Sequence, residues 1–146
     1  STSDEAGIII AGIDGAGEGY ILEDLSGIYS PNAWAHRAIS AYYEWDADRI
    51  VAEKNYGGDM VATVIRNMSP EVSYKDVTAS RGKYLRAEPI AAFYERGKVH
   101  HVGRYNKLED EMCLWLPGDK SPNRMDALVW ALTDLMAQSK GNFVLR

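Results

Sequence analysis

Short apolar runs alternate along the chain with stretches whose apolar residues recur every three or four positions. Ile8, Ile9, Ile10 and Ala11 form a β-branched run suited to a buried strand, drawn over Gly7–Ile13. Asp14-Gly15-Ala16-Gly17-Glu18-Gly19 reads as a turn and Tyr20–Leu25 as the returning strand, so the pair predicts an antiparallel hairpin with a loose loop. The spacing of Gly15, Gly17 and Gly19 is not the G-x-G-x-x-G of a dinucleotide loop, and a strand rather than a helix follows it. Ser30-Pro31 then starts a helix, with Ser as N-cap and Pro at the first position. Trp34, Ala38, Ala41, Tyr42 and Trp45 recur at helical spacing, as core and rim residues do, and the helix stops near Asp46.

Arg49–Ala52 reads as a short interior strand that ends on an acid, Glu53. Asn55, Gly57 and Gly58 follow, and Asp59–Met68 is an amphipathic helix with Met60, Val61, Val64, Ile65 and Met68 on its apolar side. Val72–Ala79 is the next strand, and Ser80-Arg81-Gly82-Lys83 a basic loop with Arg86 close behind. A helix over Ala87–Arg96 is closed by Gly97. In the strand Lys98–Val102, the adjacent His100 and His101 point to opposite faces, one packed and one exposed, and are not read as ligands of one metal. Leu108, Met112 and Trp115 mark a short helix, acidic on its other side through Glu109, Asp110 and Glu111. Ser121-Pro122 repeats the cap-plus-proline start, and Met125, Leu128, Val129, Leu132, Leu135 and Met136 follow at 3.6 spacing. Strands and helices in this order predict an α/β fold, a mixed sheet flanked by helices.

The 146 residues are enough for one domain with a core, and a hydrophobic content of 46% can fill it. A net charge of −5 provides no global attraction to nucleic acid, so any DNA contact needs local cations or metal ions held by acids. The single cysteine, Cys113, excludes an internal disulfide, points to a reducing compartment and reads as a packing residue. No apolar run approaches the roughly 20 residues that span a bilayer, and no secretory leader is visible. The abrupt start, Ser1 to Glu5 with no initiator Met, reads as that of an excised fragment.

Three groups of residues are candidates for chemistry. Glu53 stands at a strand exit facing a glycine turn, where open α/β sheets place their sites; on this stretch alone a solvated strand-end residue is the plainer reading. Asp126 lies in the first turn of the last helix, where the helix dipole favours an anion. An ordinary first-turn acid would look the same, but its neighbours Met125, Ala127, Leu128 and Val129 leave it less exposed than most. Arg81, Lys83 and Arg86 are three clustered cations in an acidic chain, readable either as a solvated loop or as phosphate contacts.

The segments SDEAGIIIAG, GYILEDLSGIYSP, ADRIVAEKNYGGDMV, ASRGKYLRAEP, GKVHHVG, LEDEMC and SPNRMDALVWAL occur in one order and spacing that together resemble the nuclease domain of the large terminase subunit of tailed bacteriophages and prophages. The resemblance covers nearly the whole chain and implies an RNase H-like mixed sheet lacking its first strand, over residues 1–146. It implies a hydrolase: a metal-dependent endonuclease that cleaves double-stranded DNA during phage genome packaging, in the cytoplasm of a bacterial host. Glu53 matches the second family acid and Asp126 the third, so both are expected as catalytic residues and metal ligands for Mg²⁺ or Mn²⁺ in a two-metal site, converging on each other. The first acid, in a D-P motif upstream, has no counterpart here; Asp4 is available to support the site and Asp14 is an ordinary turn residue. Arg81, Lys83 and Arg86 would contact DNA.

The absence of G-x-x-x-x-G-K-[ST] means that the packaging ATPase of the family would be an upstream domain. The small terminase subunit and the portal protein are further implied partners; no membrane is. Without the central first strand, its two neighbours would lack backbone partners. Two rivals stand beside this reading: another RNase H-like nuclease such as a junction resolvase, and a catalytically incomplete DNA- or protein-binding module of a packaging motor.

Overall fold

The computed structural model describes residues 5–54, 58–78, 83–120 and 122–137, with the backbone alone described at 58–60, 83–84 and 137. Among the described residues it is a mixed α/β structure of five α-helices and two sheets. The chain divides into two compact units, Ser1–Ala6 with Gly27–Ser80, and Gly7–Ser26 with Arg81–Arg146.

The first unit is a strand–helix–strand crossover behind a long helix. Helix α1 (Pro31–Glu44) starts as the sequence predicts: Ser30 is the N-cap, its hydroxyl accepting the Ala33 N–H at 3.2 Å, and Pro31 follows. Ala35, Ala38 and Ala41 form its buried stripe, with Trp34 and Tyr42 partly buried beside it. Trp45, expected in that stripe, is the exposed C-cap residue. Strand β3 (Ile50–Glu53) pairs in parallel with β4 (Tyr74–Val77), from Ile50 opposite Tyr74 to Glu53 opposite Val77. Helix α2 (Gly58–Met68) supplies the crossover that parallel strands require, and Ile65 of α2 closes the core with Ala35 and Val72. Strand β4 starts two residues after its predicted start, Val72, whose N–H turns back to donate to the Ser69 carbonyl.

The second unit holds the hairpin. Strands β1 (Ile9–Ile13) and β2 (Gly19–Asp24) are antiparallel, with a register shift between Ile10 and Ala11. Asp14 organises the turn as a turn residue should: its carboxylate accepts the N–H groups of Ala16 and Glu18 and the Tyr20 hydroxyl. Strand β5 (Val99–His101) joins the free side of β2 in parallel, giving the order β1-β2-β5. The mixed pairing therefore centres on β2. The strand expected to be interior, Arg49–Glu53, has β4 as its only partner among the described strands, and its four residues are half-buried. The two sheets exchange no ladder among the described residues, so the single sheet drawn from element order resolves into two.

Helices α3 (Lys83–Glu95), α4 (Asn106–Leu114) and α5 (Asn123–Leu132) complete this unit, and α5 runs on into a π-helical turn, Thr133–Ala137. The core gathers Ile21, Ile90, Val99, Leu108, Met125, Leu128, Val129, Leu132 and Met136, so the 3.6-residue stripe of α5 is its spine. Helix α3 begins four residues before its predicted start and carries Pro89 inside it. A proline there removes the bond to the carbonyl of Leu85, and both residues are exposed, where water can serve that carbonyl. Gly97 closes α3 with φ of 70°, its N–H bonded to Tyr94 and that of Lys98 to Phe93.

Candidate functional site

Glu53 is the last residue of β3 and is half-buried. Parallel pairing continues one residue past it, where the Lys54 N–H reaches the Val77 carbonyl at 2.7 Å, so the Glu53 backbone is held on a fixed ladder. Its place is the carboxyl end of a parallel strand leading to a helix, as expected.

Asp126 is in the first turn of α5, half-buried, with its N–H bonded to the Pro122 carbonyl at 3.0 Å. Aligned peptide dipoles at this end favour its carboxylate. Glu53 belongs to the first unit and Asp126 to the second.

The basic cluster is not one loop. Lys83 opens α3, and Arg86 lies one turn further along it, half-buried, with its guanidinium stacked 4.9 Å from the centre of the Trp130 ring on α5. Arg81 and Asp4 fall outside the described residues, as do Asn55, Gly57 and Ser121. Pro122, expected at the first helical position, is instead the N-cap of α5 and supplies no side-chain cap.

What caps α5 comes from α4. Glu111 accepts the Met125 N–H on one oxygen at 3.1 Å and Arg124 Nη1 on the other at 3.1 Å. Arg124 Nε faces Asp24, at the end of β2, at 3.2 Å. The Arg124 side chain is only 6% exposed, so it is closed to DNA. Residue-by-residue reading passed over this triad because Glu109-Asp110-Glu111 looks like a solvated acidic face. The missed signal is spacing: Arg124 precedes Leu128 and Leu132 by four and eight positions and so lies on the buried stripe.

A second acid of that face also turns inward. Glu109 accepts from His101 Nδ1 at 3.0 Å and from the Tyr105 N–H at 3.3 Å, and these bonds, His101 first, hold its carboxyl below the usual range. An ionised carboxylate only accepts, so Nδ1 carries a proton; Nε2 meets the Tyr94 hydroxyl at 2.7 Å, and burial keeps that hydroxyl protonated. The other histidine, His100, is exposed on the opposite side and meets Glu18 at 2.6 Å. One packed and one exposed histidine is the expected alternation. Cys113, expected to pack, is exposed, because α4 turns Leu108 rather than Cys113 into the core.

The terminase RNaseH-like domain family matches residues 1–138 of the chain. The chain belongs to that family. It is a nuclease-type module of a terminase, and its mixed α/β architecture agrees with an RNase H-like domain. No curated protein matches it. The match spans both Glu53 and Asp126. As donors they suit a hard divalent cation, since Asp and Glu supply oxygen. Among the described residues no three His, Cys, Asp or Glu side chains gather as a ready ligand set, and no helix there is long and apolar enough to cross a membrane.

Proposed function

We propose that this terminase module is a metal-dependent endonuclease that hydrolyses phosphodiester bonds of double-stranded DNA during phage genome packaging, in the bacterial cytoplasm. The observation that carries the reading is the family match across residues 1–138, with an acid at the β3 exit and another in the first turn of α5. In this reading Glu53 and Asp126 are ligands for Mg²⁺ or Mn²⁺. When bound, such ions supply Lewis acidity toward the scissile phosphate and reverse the local charge of an acidic protein. Glu53 and Asp126 hold them; Arg81, Lys83 and Arg86 grip backbone phosphates without reading bases. A packaging ATPase, a small terminase subunit and a portal protein are the partners that the family implies.

The experiment is plasmid nicking under Mn²⁺ and Mg²⁺ titration by the wild-type chain, Glu53→Ala and Asp126→Ala, with Mn²⁺ binding measured on the same proteins. Weak cleavage by the wild-type chain alone is expected, with loss of both that cleavage and Mn²⁺ binding in each variant. Cleavage that survives both substitutions would remove these residues from the site. A second reading draws on the lack of three gathered ligands among the described residues: a DNA-binding module that needs further acids to cut. Tight duplex binding by a wild-type chain that never nicks at saturating Mn²⁺ would favour it.

A further inference from the structure

We infer that Arg124 is a positioning residue for Asp126, acting through its ion pairs with Asp24 and Glu111; the inference rests on the nuclease reading of Asp126. Arg124 is the second residue of α5, where the positive helix end disfavours a cation. It is also buried, and burying a guanidinium is costly unless carboxylates and hydrogen bonds compensate it. An apolar residue would serve the core better on both counts.

What Arg124 provides is geometry. Its planar fork spans two elements, Nε toward Asp24 at 3.2 Å on β2 and Nη1 toward Glu111 at 3.1 Å on α4. Glu111 in turn holds the Met125 N–H at 3.1 Å, the residue next to Asp126. The start of α5 is thus tied at one side chain and one backbone group, although its capping residue, Pro122, offers no side chain to do so. Gly7 closes the same place from β1's side of the unit: a Cβ there would collide with the Asn123 carbonyl. Arg124 and Asp126 are two residues apart, so roughly 200° separates them around the axis. The buried side of the turn is clamped, and Asp126 leaves from the other side.

A carboxylate that must meet a metal needs a backbone that does not drift, since loss of a supporting contact typically weakens metal affinity by about ten- to a hundredfold. The test compares Arg124→Met, Arg124→Lys and Glu111→Gln with Asp126→Asn in the full chain, reading three quantities. These are amide exchange at Met125, Asp126 and Ala127, Mn²⁺ affinity, and the Mn²⁺ concentration for half-maximal nicking. For Arg124→Met we expect faster exchange in this turn, about tenfold weaker Mn²⁺ binding and a matching rise in the Mn²⁺ midpoint. The maximal rate should return at saturating Mn²⁺, and Arg124→Lys should recover part of the affinity. A purely stabilising Arg124 would lower the active fraction and leave the midpoint unmoved, which would overturn the inference. So would unchanged exchange and affinity in Arg124→Met. If Arg124→Met loosens the turn while Asp126→Asn leaves Mn²⁺ binding and nicking intact, the nuclease role of Asp126 fails and the positioning role falls with it.

Discussion

At the scale of single residues, two acids of α4 show how a charge run misleads. Glu109 and Glu111 both face inward, onto His101 and Arg124. Because its hydrogen bonds hold Glu109 below its ordinary value of 4.5, the fold favours its ionised form. Its contribution to stability is therefore complete above that value and is lost as the pH falls through the lowered one. Glu109→Gln should flatten the acid limb of the Tm–pH curve, and thermal melts between about pH 3 and 6 check it; superimposable limbs would disprove the linkage. Exposure of the carboxylate keeps the effect small. Leu108 is the opposite case, fully buried on the same helix. Leu108→Ala should cost about 2–5 kcal/mol in urea unfolding, the range for a core cavity.

At the scale of elements, local chemistry set most boundaries. The Ser30 cap, the Asp14 turn and the Gly97 stop each depend on partners within a few residues and stand where expected. Helix α3 starts earlier than expected, at Lys83, and Arg86 in its first turn lies over Trp130 of α5, a contact remote in sequence. Gly7 belongs to the same class, since the Asn123 carbonyl occupies the space a side chain would need. Gly7→Ala should force β1 or the start of α5 to shift, lowering Tm by several degrees through a loss of about 1–3 kcal/mol. A melt equal to wild type would show that the contact yields freely.

For the whole molecule, the net charge of −5 makes DNA contact a matter of local cations. Arg81→Ala with Lys83→Ala should weaken duplex binding at low salt and reduce the slope of affinity against salt by up to about two phosphate contacts. Circular dichroism should stay unchanged. Filter binding across a salt series reads the difference, and equal affinity at low salt would make these cations solvated residues.

The sequence by itself determined the hairpin, the Ser30 cap, the Gly97 stop and the helical stripes. Each is written in periodicity or in turn chemistry visible along the chain. Only the tertiary structure decided that β2 is the central strand of its sheet, that α5 is capped by a carboxylate of α4, and that Arg124 is buried between Asp24 and Glu111. These features join residues remote in sequence, and a side chain's charge does not say whether water or another side chain answers it. Burial decides that, and burial is a property of the packed elements together.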